Sequence, residues 1–207
     1  LTCCANEDIP FDRDSVVSAF EQYAALIQEW NPFAKLVSAK DAQETIPLHC
    51  ADSLSLVPSV YQLLQQEPME YWDLGTGGGF PAIAICILLP DLPTRLIERH
   101  TKKCTFLRKV CNRLGLKQVT IENRSFDASQ THVCPRIFTS RAIEKPELVI
   151  PEILASLSVD DVYLCQSEAI HAISNEDRAM FHVEPIEDAF SQSTLRRNKL
   201  YRITRKA

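Results

Sequence analysis

Residues 71–81 read Tyr71-Trp72-Asp73-Leu74-Gly75-Thr76-Gly77-Gly78-Gly79-Phe80-Pro81, and this stretch decides the fold. Tyr71 to Leu74 is a short run of strand character, and Pro81 to Leu89 is an apolar run suited to a buried helix. Four of the chain's five glycines lie between them, within Gly75–Gly79. Glycines at a strand-to-helix turn let the backbone bend sharply and approach a ligand closely. Pro81 falls in the first helical turn, a favoured place for proline.

Downstream, the same alternation repeats. Strands are predicted at Thr94–Glu98, Val119–Glu122, Arg136–Ser140 and Asp161–Gln166. Helices are predicted at Thr101–Leu114, where Gly115 ends the run, and at Pro146–Leu157. Strands alternating with helices make a mostly parallel sheet covered on both faces, a doubly wound, Rossmann-like α/β fold. The chain then reads as helix over His171–Met180, with late strands, of antiparallel character, at Phe181–Ile186 and Lys199–Thr204. Upstream, Val16, Val17, Phe20, Tyr23, Ala24, Ile27 and Trp30 recur at helical spacing. Asp14 or Ser15 is the expected N-cap there, and Asn31-Pro32 the expected stop. Residues 45–66 read as one or two further helices around Pro58. The expected organisation is a helical N-terminal extension over residues 1–66, packed on a ligand-binding domain over 67–207.

The 207 residues are 45% hydrophobic and 24% charged, enough apolar content to bury a core. The longest apolar run, Ala82 to Leu89, stops at Pro90, well short of the roughly 20 residues a membrane-spanning helix needs. The acidic first residues lack the basic and apolar stretches of a signal peptide. A start at Leu1 rather than Met suggests a trimmed start or an incomplete first element. Eight cysteines are scattered through apolar segments with no Cys-x-x-Cys, which reads as reduced core thiols in a cytoplasmic protein. No metal site is expected. The net charge of −5 hides an asymmetry: residues 1–90 hold 3 basic and 12 acidic side chains, and residues 91–124 hold 9 basic and 3 acidic. Arg196, Arg197, Lys199, Arg202, Arg205 and Lys206 crowd the last twelve residues. Such blocks form either phosphate-binding faces or merely solvated ones.

The loop admits two cofactor classes. A dinucleotide fingerprint can be laid over Gly77-x-Gly79-x-x-Ala82, with Glu98 about 20 residues on. The turn starts at Gly75, however, and from there the third glycine position is Phe80. Asp73, two residues before Gly75, is more telling. A carboxylate there suits S-adenosylmethionine, which carries a sulfonium and an ammonium group, and repels a pyrophosphate. Glu98, at the end of the second strand, can accept hydrogen bonds from ribose hydroxyls in either class. Asp73, Gly75, Gly77, Gly79 and Glu98 are therefore the candidate cofactor residues.

At larger scale the chain resembles the RsmG family, also called GidB, over about Trp30 to Ile203. The resemblance rests on Trp30-Asn31, His49-Cys-Ala-Asp52-Ser53, Asp73-Leu-Gly-Thr-Gly-Gly-Gly-Phe-Pro81, Lys102-Lys-x-x-Phe106-Leu107, Arg124 and Ser140-Arg141-Ala142. It implies a class I S-adenosylmethionine-dependent methyltransferase that acts on N7 of a guanine in 16S ribosomal RNA. It also implies cofactor contacts at Gly75, Phe80, Ser125, Phe126 and Arg141, and substrate contacts at His49, Arg124 and Arg141. Arg141 is the candidate catalytic residue, acting by positioning. Guanine N7 already carries a lone pair, so no general base is expected. The expected partner is 16S rRNA or a 30S particle, approached by a monomer. The family pattern is altered at Lys35-Leu36-Val37, at Leu48, and at Gln166-Ser167, where a Lys-Gly pair is expected. Two alternatives to the 16S rRNA enzyme follow: a paralogue acting on another RNA, and a cofactor-binding, ribosome-associated protein without activity. A nicotinamide-dependent oxidoreductase is disfavoured by Asp73 and Phe80.

Overall fold

The structure is a computed structural model that describes residues 9–38, 42–129, 134–141, 145–166, 173–174, 179–186 and 199–207. Three helices come first: α1 (Arg13–Ala34), α2 (Ala42–Leu54) and α3 (Val57–Leu64). The α/β alternation follows as β1 (Glu70–Leu74), α4 (Ala82–Leu88), β2 (Thr94–Ile97), α5 (Thr101–Leu114), β3 (Val119–Glu122), β4 (Arg136–Arg141), α6 (Pro146–Ser156) and β5 (Val162–Gln166). Two last strands are β6 (Phe181–Pro185) and β7 (Tyr201–Arg205). The expected helix over 171–180 lies mostly outside the described residues; of those described within it, Ala179 and Met180 are helical and Ile173 and Ser174 are not.

Helix α1 departs from the sequence reading at both ends. Asp12, rather than Asp14 or Ser15, is the N-cap, its carboxylate accepting the Ser15 N–H at 3.0 Å. The helix also runs through Pro32, because a proline one turn from the end deprives only one carbonyl of its bond. The stop is set by Asn31. Its carbonyl accepts the N–H of Lys35, which sits in the left-handed region at φ 50°. Its side-chain Oδ1 accepts the N–H groups of Leu36 and Val37 at 2.8 and 3.0 Å.

The seven strands lie in the order β3-β2-β1-β4-β5-β7-β6. The first five are mutually parallel, while β7 runs antiparallel to both β5 and β6. Chain order reverses on either side of β1, so the crevice beyond the carboxyl ends of β1 and β4 is where such sheets bind ligands. Register brings Leu74 beside both Ile97 and Ser140, and Arg141 beside Gln166. The residues that follow these strands therefore emerge together at one edge.

Alternation along β1 feeds two cores. Tyr71 joins Tyr23, Ile27, Val57, Val60, Ile83, Phe106, Leu107 and Val110, so α1 and α3 share one apolar layer with α4 and α5. Trp72 and Leu74 face Phe138, Ile150, Ile153, Leu154, Tyr163 and Ile203, the layer covered by α6. Away from the ligand edge, Arg136 and Asp161 form a buried ion pair at 2.7 Å, with Arg136 stacked on Trp72 and Phe138. Burial would raise the Asp161 carboxyl, but the bonds from Arg136 and the Ser158 N–H outweigh it and hold it below its ordinary value.

Candidate cofactor and substrate site

The glycine loop is braced from behind before it can bind anything in front. The Tyr23 hydroxyl, wholly buried on α1, donates to the Gly78 carbonyl at 2.6 Å. A Cβ on Gly78 would meet the Leu36 carbonyl at 3.2 Å. Gly79 has φ +94°, and a Cβ there would lie 2.6 Å from Ile83 and 2.9 Å from the Tyr23 hydroxyl. Only glycine satisfies both demands at position 79. Its role is close packing of loop against helix. Asn31 fixes Leu36, and Leu36 and Tyr23 together fix the loop.

In front of the loop is a cleft of about 340 Å³ at the carboxyl ends of β1 and β2. Leu74, Gly75 and Glu98 line it, with Ser125 and Phe126 from the turn after β3 and Val149 and Glu152 from α6. Basic side chains Arg99, Lys103 and Arg124, together with His100, form the rest of the wall. This size lies at the lower end of small-molecule sites, roughly 300–1,000 Å³. Glu98 is buried, and its Oε2 accepts the Gly77 N–H at 3.0 Å. Arg124 bonds Glu122 at 2.5 Å and donates to the Ser125 carbonyl at 2.9 Å, which fixes the start of the Ser125-Phe126 wall. Phe126 packs edge-on against Phe138.

Asp73 lies beneath the loop, outside that cleft. Its Oδ1 accepts the Thr139 hydroxyl at 2.7 Å, and Thr139 in turn receives the Tyr71 hydroxyl at 2.5 Å. Its Oδ2 and the neighbouring Thr76 hydroxyl are both buried, and neither makes a well-formed hydrogen bond. Burial pushes the Asp73 carboxyl up to about 7, while Thr76, Thr139 and Arg141 pull the other way.

A second cluster sits on the Asp73 side of the sheet. Arg141, at the end of β4, stacks over Phe80 at 5.0 Å and bonds Asp52 of α2 at 3.3 Å. The His49 ring packs on the same Phe80 at 5.2 Å. Gln166, at the end of β5, donates to the Asp52 carbonyl at 3.3 Å, and Ser55 donates to it as well. The last turn of α2 is thus clamped to the ends of β4 and β5, its terminal carbonyls satisfied by side chains. Burial pushes the neighbouring Cys50 thiol up to about 12, so it stays protonated at neutral pH and is a poor nucleophile.

Of the sequence-predicted residues, Gly75, Glu98, Arg124, Ser125 and Phe126 line one cleft. Phe80, Arg141 and His49 gather in the second cluster, and Asp73 lies buried on β1 beside Thr139 of β4. Gly77 is tied to Glu98, and Gly79 is packed inside. Sequence reasoning missed Tyr23, Thr139 and His100: Tyr23 reaches the glycine loop from a distant helix, Thr139 reaches Asp73 across the sheet, and His100 turns back to Glu98 through a turn that its residue type does not announce.

A model of the family rRNA small subunit methyltransferase G matches residues 16–188. The chain belongs to this family. It is 31% identical over 170 residues to Ribosomal RNA small subunit methyltransferase G of Thermoanaerobacter sp. (strain X514), covering 79% of this chain and 70% of the relative. It is 36% identical to the protein of that name from Wolinella succinogenes over 143 residues, 69% of each. Among solved structures, a variant of MtNAS superposes with a TM-score of 0.60 at 14% identity, covering 100% of this chain and 81% of the other. A complex of such a variant with S-adenosylmethionine gives a TM-score of 0.52 at 14% identity, over 95% and 80%. These superpositions show a shared Rossmann-like α/β fold. Within the family match, the glycine loop, Arg124, Arg141 and Gln166 are all included. No helix among the described residues is long and apolar enough to cross a membrane.

Proposed function

We propose that this chain transfers the methyl group of S-adenosylmethionine to N7 of a guanine in small-subunit ribosomal RNA. Family membership supports the reaction class. The observation that carries the choice of cofactor is Asp73: a buried carboxyl with one oxygen lacking a well-formed hydrogen bond, next to a glycine loop, suits a cationic ligand. A pyrophosphate would meet repulsion there. Glu98, Gly75, Ser125 and Phe126 would hold the nucleoside part, with Asp73, the loop at Gly77–Phe80 and Arg141 toward the amino-acid part.

S-adenosylmethionine, when bound, supplies an electrophilic methyl group on a sulfonium. The chain's task is then to place the purine in line with it, because the N7 lone pair needs no proton removed. Arg141 is held by Asp52 and Phe80, so its guanidinium is pre-oriented to position the base or a phosphate. Gln166 is a neutral tie between β5 and α2 where the family pattern leads one to expect a lysine. This makes the second reading, a cofactor-binding protein that no longer transfers methyl groups, specific enough to test. Labelled methyl transfer should be assayed with 30S particles, naked 16S RNA and a mixed tRNA pool. Transfer confined to small-subunit RNA is the expected result. Cofactor binding without transfer to any of them would favour the second reading.

A further inference from the structure

Strand β2 ends at Ile97, and Glu98-Arg99-His100 carry the chain into α5. Glu98 is held from three directions. Its Oε2 accepts the Gly77 N–H at 3.0 Å. Its Oε1 accepts the backbone N–H of His100 at 2.7 Å and lies 2.8 Å from His100 Nδ1. An ionised carboxylate can only accept, so Nδ1 carries the proton and donates. His100 occupies the N-cap position of α5, where a polar side chain ordinarily bonds the first helical N–H groups. Its ring makes no such bond. It is half exposed, turned to Glu98, and part of the cleft wall with Arg99, Lys103, Arg124 and Glu152. The polar contact this ring makes therefore serves the carboxylate on which nucleoside binding depends.

We infer that His100 is a positioning residue of the nucleoside site: its Nδ1–H fixes the Glu98 carboxylate in the orientation that receives a ribose hydroxyl of the cofactor. A carboxylate has about four acceptor sites, and the clamp from Gly77 and His100 occupies three of them. The clamp thus sets which direction remains open to a ligand hydroxyl. This inference rests on the cofactor reading above.

The test is calorimetric titration of the full chain and its variants with S-adenosylhomocysteine and with its 2′,3′-dideoxy analogue. His100→Ala is expected to weaken S-adenosylhomocysteine about tenfold, the size of a lost bond to a charged group. His100→Asn, whose amide can place a donor near Nδ1, should stay within about threefold of the unmodified chain. The dideoxy analogue should not distinguish the three proteins by more than about twofold, since it lacks the groups that Glu98 receives. Equal affinity of His100→Ala and the unmodified chain for S-adenosylhomocysteine would overturn the inference alone. So would equal losses on both ligands, which would mark a general collapse of the cleft. If the unmodified chain failed to bind S-adenosylhomocysteine, the cofactor reading would fall and take the inference with it.

Discussion

The Asp73 carboxyl has no exposed surface, one bond from Thr139, and a second oxygen beside Thr76 without a well-formed bond. Its value of about 7, raised chiefly by burial, means the folded protein holds that proton more tightly than the unfolded chain does. Between about pH 4 and pH 7 the folded state binds the extra proton, so this group's contribution to stability falls as pH rises through that window. Above it the cost is constant, on the order of 4 kcal/mol. Asp73→Asn is therefore expected to melt higher than the unmodified chain at pH 8, by up to that amount, with the advantage shrinking toward pH 5. The same variant should lose measurable affinity for S-adenosylmethionine. In the unmodified chain that affinity should rise with pH through about 7, as the carboxylate becomes available to a cation. Thermal melts and titrations at pH 5, 7 and 8 check both. A variant that melts lower at pH 8 and still binds would contradict this account of Asp73. The acid itself was legible because it stands two residues before the glycine turn. Thr139 was not, because only the pairing of β1 with β4 brings it 66 residues back to Asp73.

Among the secondary-structure elements, the loop between β1 and α4 depends on a helix residue 55 positions earlier. Tyr23→Phe removes the donor to the buried Gly78 carbonyl and should cost about 1–3 kcal/mol, the price of an unsatisfied buried acceptor. It should also raise the Kd for S-adenosylhomocysteine, since the loop loses its rear anchor. A denaturant melt together with a titration checks both, and unchanged affinity would show the loop to be rigid without Tyr23. Legibility at this scale followed the range of the signal. Helix α5 was read to its true ends, because its amphipathic spacing and Gly115 in the left-handed region are local. Helix α1 was misread at both ends, because Asp12 and Asn31 act through side-chain bonds that compete with simpler signals from Asp14 and Pro32. The late strands were recognised, but the insertion of β7 between β5 and β6 is a long-range pairing with no mark in the residues themselves.

Across the whole molecule the charge asymmetry is partly consumed by folding. Basic α5 packs on acidic α1, where Lys109 bonds Glu29 at 3.0 Å and stacks over Trp30, and Arg113 bonds Gln22. The helix is therefore less available to phosphates than its sequence suggests, and the basic wall of the cleft is the more pertinent surface. Binding to 30S particles should weaken as salt rises, because phosphate contacts release counterions. Lys102→Ala, an exposed position beside that wall, should lower the slope of log affinity against log salt by about one while leaving S-adenosylhomocysteine binding unchanged. An unaltered slope would remove α5 from the RNA interface. The central claim meets its most direct test in the product: 30S particles incubated with the chain and S-adenosylmethionine, their RNA digested to nucleosides and analysed by mass. 7-Methylguanosine is expected in 16S RNA above the level of particles incubated without enzyme. A different methylated nucleoside, or no increase despite demonstrable cofactor binding, would contradict it.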